Sequence, residues 1–247
     1  MKAVLPTALR LAALVLLVSF LVWPESFAPL FAPLTSNGAP PIYTQSSMLG
    51  LAWSHLLLVF GAAVASTLLA VGLGIFVTRP AGAEFLPLSR AVVNIGQTFP
   101  PVAVLALAVP VVGFGGPPTL LALFLYGLLP IFENTLSGLA EVPADVLEAA
   151  RGMGMSDGQR LLRVELPLAL PVILAGVRLS LVINMGTATI GSTVAAKGLG
   201  EVIIAGLLSN NTAFILQGGL ATGLMAILLY DAMRLLERRI CRNARVE

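Results

Sequence analysis

The chain offers few residues for covalent chemistry. Its 247 residues include one histidine and one cysteine. Cys241 has no second thiol to pair with, which rules out an intrachain disulfide and a cysteine-based metal site. His55 follows Ser54 and is the one imidazole available as a general base. An intramembrane serine protease would need it beside a nucleophile such as Ser137 or Ser180. The two lysines, Lys2 and Lys197, stand in no G-x-x-x-x-G-K-[ST] phosphate loop, so no nucleotide-hydrolysing centre is encoded here. What the chain does carry is polar side chains set singly among apolar ones. Asn94, Gln97 and Thr98 precede Pro100-Pro101, and Asn184, Thr187 and Thr189 lie further on. Polar groups within apolar spans are candidates for a solute path, although Ser and Thr also bond harmlessly to their own helix. Two adjacent prolines prevent a regular helix without local repair, which reads either as backbone lining a cavity or as a packing kink.

One run breaks the pattern. EAARGMGMSDGQRLLRVELP, residues 148–167, holds six of the chain's 26 charged residues. The surroundings are apolar: 57% of residues are hydrophobic, 11% are charged, and the mean hydropathy is +0.96. Soluble domains carry about 25% charged residues, so the composition points to an integral membrane protein. A net charge of +2 without a basic patch argues against nucleic acid.

Stretches of about 20 apolar residues suffice to span a bilayer as helix. Six are predicted: residues 8–23, 54–78, 91–112, 118–138, one starting near Leu168, and about 213–233. The first also resembles a signal peptide, with Lys2 and Arg10 ahead of an apolar core, but WPESFAPLFAPL offers no clear cleavage site. Residues 24–50 form a Pro-rich link with an FAPL doublet, predicted to be an ordered external connector. The parse is an N-terminal helix and connector over 1–50, a transmembrane domain over 51–236, and a basic tail over 237–247.

Basic residues orient such a chain. With the N-terminus in the cytoplasm, twelve of the fourteen lysines and arginines face that side; Lys197 lies outside, and Arg178 falls in or near the fifth span. His55 then sits at the external edge of its span, near water, while Ser137 and Ser180 lie nearer the other side. That separation disfavours the protease reading. Glu133 and Asn134 are placed about one turn from a cytoplasmic helix end, where snorkelling serves them. Arg178 is expected to pair with an acid of this chain or of a partner. A secondary transporter would need ion-coupling acids at mid-membrane, and none is clear.

The charged run cannot cross the membrane, because six ionised groups at about 2.5–3.5 kcal/mol each would cost on the order of 15–20 kcal/mol. It reads as two short helices. Pro143 and Asp145 suit a first helical turn, Gly152 and Gly154 allow a bend, and Ser156 with Gln159 matches a capping box. The second helix is expected to end at Pro167. Ala149 and Ala150 would let another protein's backbone approach closely, and Arg160 and Arg163 could meet acidic groups. Basic residues also favour lipid headgroups, so both a protein and a lipid contact stay open on these grounds.

The spacing Glu148-Ala149-Ala150, Gly154, Val164, Leu166-Pro167 resembles the cytoplasmic signature loop of permease subunits of bacterial ABC importers; the family usually has isoleucine at the Val164 position. The resemblance implies an all-α fold, a MetI-like five-helix core plus an N-terminal helix. It also implies that the run is a coupling helix docking in a groove of an ATP-binding subunit, with Glu148 and Gly154 at the socket. It spans about residues 45–235. IGQTFPPVAVLALAVPVVGFG (95–115), LALFLYGLLPIFENTLSGL (121–139), VELPLALPVILAGVRLSLVINMGTATIGSTV (164–194) and GLGEVIIAGL (198–207) are similar to the osmoprotectant branch. These permeases import glycine betaine, choline, carnitine and related quaternary amines, and the likeness is nearest to systems with two different permease subunits. The implied partners are a pair of ATP-binding subunits holding ATP and magnesium, a second permease, an extracytoplasmic binding protein and the bacterial inner membrane. No cofactor is expected in this chain.

Overall fold

The computed structural model describes residues 6–36 and 38–243, and side chains as far as Ile240. The described residues are helices and connecting turns, without a strand. Helix α1 (Thr7–Val22) leads into short helical turns at Pro24–Leu34. Then come α2 (Met48–Val77), α3 (Leu86–Thr98), α4 (Pro101–Val112) and α5 (Gly116–Ala140). Two short helices, α6 (Ala144–Gly152) and α7 (Asp157–Arg160), are followed by a widened turn at Leu161–Glu165 and by α8 (Leu166–Thr187). A tight helical run, Ala188–Val194, leads to α9 (Gly200–Leu208) and α10 (Thr212–Asn243).

Among the described residues, four helical stretches are long and apolar enough to cross a membrane: Met48–Val77, Gly116–Ala140, Asp157–Val194 and Thr212–Ile240. Two bent pairs bring the total to as many as six when each pair is counted as one span. One is Thr7–Val22 with Pro24–Leu34, folded by 111°; the other is Ala83–Thr98 with Pro101–Val112, folded by 98°. The span predicted over 91–112 is broken where Pro100-Pro101 interrupt it. The cause is local: Phe99 is extended, as a residue before proline prefers, and Pro100 caps α4 with Pro101 in its first turn.

Pro167 departs from expectation. Helix α7 does not stop there; it runs through the widened turn into α8, making one rod of 38 residues from Asp157 to Val194. In a regular helix the Pro167 ring would strike the carbonyl of Arg163, and widening the turn just before it relieves the clash. At 1.5 Å per residue the rod is about 57 Å long, well beyond the roughly 30 Å of a hydrocarbon core. Its first turns belong to the elbow.

Helix α5 is the axle of the bundle and packs against α2, α3, α4 and α8. Its core face includes Leu123, Leu128, Ile131 and Phe132. Without a hydrophobic drive between helices in lipid, close approach needs small residues. Gly127 supplies it: a Cβ there would sit 2.7 Å from the hydroxyls of both Ser66 on α2 and Ser180 on α8. Helix α10 packs on α8, α9 and α1. The predicted connector is ordered: Ile42 and Tyr43 are buried, the Tyr43 amide donates to Gln217 Oε1 (3.1 Å), and Gln217 Nε2 donates to the Pro41 carbonyl (2.7 Å).

Candidate functional site: a two-helix elbow and a broken span

Helix α6 starts after Pro143, with Asp145 in its first turn and Arg151 in its last, both matching the helix dipole. It ends in two reverse hydrogen bonds, Met155 N to Ala150 O (3.1 Å) and Gly154 N to Arg151 O (2.9 Å). That pair is a Schellman motif, and it requires the left-handed backbone that Gly154 adopts at φ +77°. Helix α7 opens on the capping box: Gln159 N donates to Ser156 Oγ (3.3 Å) and Ser156 N to Gln159 Oε1 (3.0 Å). Two caps back to back make a bend whose shape is set by its own backbone.

The elbow's faces differ in part from expectation. Glu148, Ala149, Arg151, Gly154 and Arg163 are exposed. Ala150 is 1% exposed, so only the first of the two alanines is presented outward. Arg160 meets acidic groups as expected, and they belong to this chain. Its Nε donates to Glu165 Oε1 (2.9 Å) and its Nη1 pairs with Asp157 (3.0 Å). Glu165, itself 5% exposed, takes Arg79 from beyond the end of α2 on its other oxygen. Leu166 packs with Leu161 on a layer of Leu139, Ala169 and Ile173, and Pro167 is half-buried beside it.

The broken span is stitched to α5. Pro130 has no N–H, so the Tyr126 carbonyl four residues earlier lacks its helix donor. Gln97 Nε2 supplies one, at 3.0 Å. In return the Tyr126 hydroxyl donates to the Phe99 carbonyl, freed where α3 breaks. The two segments touch backbone to backbone: a Cβ on Gly96 would lie 2.3 Å from the Leu125 carbonyl oxygen. Asn94 and Thr98 remain exposed beside the break, Thr98 bonding back to the Ile95 carbonyl (2.8 Å). Sequence reading missed Tyr126, yet Pro130 four residues on is the signal that exposes its carbonyl.

The second polar group divides. Asn184 is fully buried, and its amide donates to the Leu123 carbonyl (3.1 Å), so it joins α8 to α5 and lines no surface of this chain. Thr187 and Thr189 bond to the nearby carbonyls of Ile183 (3.0 Å) and Gly186 (2.7 Å).

His55 is fully buried, not at a wet edge, and hydrogen-bonds through Nε2 to the Met185 carbonyl (3.0 Å) near the end of α8. That bond makes it a helix-end partner. Glu133 stands about two turns from the end of α5 and holds Arg90 through both oxygens (3.0 and 3.2 Å). Asn134 Nδ2 donates to the Pro130 carbonyl (2.7 Å). Arg178 pairs with Glu237 of the same chain and lies 5.0 Å from the Tyr230 ring centroid.

At the opposite end from the elbow, Glu201 on α9 accepts the hydroxyls of Tyr43 (2.8 Å) and Ser46 (2.7 Å). Burial and that carboxylate push the Tyr43 phenol up to about 12.

Comparison with known proteins agrees with this architecture. Residues 70–242 match the family described as binding-protein-dependent transport system inner membrane component. The osmoprotectant import permease protein OsmY of Salmonella typhimurium is 42% identical over 79% of this chain and 83% of its own length. The carnitine transport permease protein OpuCD of Listeria monocytogenes is 40% identical over 76% and 84%. The choline transport system permease protein OpuBB of Bacillus subtilis is 35% identical over 84% and 91%. Among solved structures, a chain of the MetNI methionine ABC transporter in an inward-facing conformation superposes with a TM-score of 0.67. It is 25% identical and covers 80% of this chain and 95% of its own. The elbow and the helices around it thus sit in a member of the binding-protein-dependent transport system inner membrane components, a family of membrane permeases.

Proposed function

We propose that this chain is the membrane-spanning permease subunit of an ATP-driven importer for a small quaternary amine of the glycine betaine, choline or carnitine kind. The observation that carries the mechanism is the elbow: a rigid, doubly capped bend that presents Glu148, Ala149 and Gly154 outward from the end of the bundle. A pair of ATP-binding subunits, holding ATP and magnesium, grips this bend. Their closure moves the elbow, and with it the rod it begins, between two rigid-body arrangements. The elbow faces the cytoplasm of a bacterial inner membrane, as do both termini, and an extracytoplasmic binding protein delivers the solute at the connector end. A second permease completes the path, to which the exposed Asn94 and Thr98 beside the break contribute. The named solutes of the relatives at 35–42% identity support the substrate class.

Discrimination between solutes resides mainly in the binding protein. The test of docking is Glu148→Lys, expected to leave the chain in the membrane while abolishing ATP-dependent uptake and co-purification of the ATPase. Wild-type uptake by that variant would overturn the assignment. Uptake into vesicles is expected to need ATP and to ignore an uncoupler.

A further inference from the structure

We propose that Glu165 is a positioning residue of the coupling machinery: through Arg160 and Arg79 it locks the elbow to the end of α2, so that α2 and α8 move as one body when the elbow is moved. The inference rests on the docking role given above to the elbow, and adds where the motion goes. Glu165 is buried beneath the elbow, where its two oxygens are divided between two guanidiniums. Arg160 belongs to the elbow's second arm, five residues away; Arg79 lies two residues beyond the last residue of α2 and 86 residues away in sequence. One carboxylate therefore joins two elements that the chain itself does not connect.

Below it lies an apolar layer, in which Val71 and Ile75 of α2 pack with Leu161, Leu166, Ala169 and Ile173. Apolar contact is non-directional and lets helices slide. Charge-assisted hydrogen bonds are directional, and the layer plus the clamp fixes the register that the layer alone leaves free. Glu165 is the buried member between two half-buried guanidiniums, so losing Arg79 leaves its buried charge with one partner in place of two. The widened turn at Leu161–Glu165 serves the same end. It sets Glu165 at the point where the elbow becomes the rod.

The experiment uses the full complex of this chain with its permease and ATPase partners, reconstituted in liposomes with the binding protein, and reads solute carried per ATP hydrolysed. Glu165→Gln and Arg79→Gln are each expected to assemble with the ATPase and to lower that ratio about tenfold, the equivalent of about 1.4 kcal/mol of lost coupling. A Glu165→Gln complex that assembles and keeps the wild-type ratio overturns the clamp. To separate coupling from mere structure, Arg79 and Glu165 are both replaced by Cys in a Cys241→Ser background and joined with a short bifunctional thiol reagent. The bridge is expected to restore the ratio, because it replaces the clamp. A bridge that leaves the ratio at the unbridged value, or one that stops transport because α2 and the elbow must part, overturns the proposal. Glu148→Lys serves as the separate control on docking: if it retains the ATPase and transports, the docking assignment fails, whatever Glu165 does.

Discussion

Gln97 shows how a single side chain can look like a solute contact and serve the backbone. Its amide stands in for the N–H that Pro130 lacks, and leaving a buried carbonyl without a donor costs about 1–3 kcal/mol. Gln97→Ala is expected to lower thermal stability in detergent by that amount. Pro130→Ala returns an N–H to α5, so the cost of Gln97→Ala should shrink in that background; a double-mutant cycle with no coupling would refute the repair. Tyr43 is a second case. Its phenol is raised to about 12 by burial and Glu201. A raised phenol favours the protonated form in the fold, so its contribution is complete below the unfolded value of about 10 and is lost as pH climbs from there towards 12. Absorbance of the ionised phenol should therefore rise late, and Tyr43→Phe should diminish that late rise.

At the scale of an element, the elbow depends on backbone conformation more than on contact. A Cβ on Gly154 or on Gly152 would meet nothing within 4 Å, but only Gly154 has a positive φ. Gly154→Val is expected to cost about 1–2 kcal/mol in the local fold, while Gly152→Ala, inside α6, should be neutral or stabilising by up to about 1 kcal/mol. Hydrogen exchange at the Gly154 and Met155 amides reads both, since these amides close the reverse bonds. Faster exchange in Gly152→Ala than in Gly154→Val would contradict the Schellman account. The broken span is the counterpart: its break is written in Phe99-Pro100-Pro101, but its placement is held by Gly96, Gln97 and Tyr126 against α5.

For the whole molecule, orientation is the property most open to direct test. Twelve of fourteen basic residues fall on the elbow's side of the membrane by the predicted spans. Ser156→Cys in a Cys241→Ser background should therefore react with an impermeant thiol reagent in inside-out vesicles and not in right-side-out ones, whereas a cysteine at exposed Lys197 should show the reverse. The opposite pattern would invert the topology and move the elbow away from ATP. Ion pairs within the bundle also tie distant ends of the chain: Arg10 on α1 bonds Asp231 on α10, so the first helix is docked on the last.

Hydrophobicity, charge placement and local signals were legible in the chain alone, since each acts over a turn or two of helix. Apolar runs marked the spans, Ser156 and Gln159 the capping box, and Pro100-Pro101 the interruption. The chain could not show which way side chains turn. Ala150, expected to face another protein's backbone, is turned in, and His55, expected at a wet edge, is buried against α8. Pro167 was read as a stop because its effect depends on the turn before it, and that turn widened. Only the packed bundle decided the long-range pairings, because the partners — Glu165 for Arg79, Tyr126 for Phe99, Met185 for His55 — lie from 27 to 130 residues apart, beyond the reach of any local pattern.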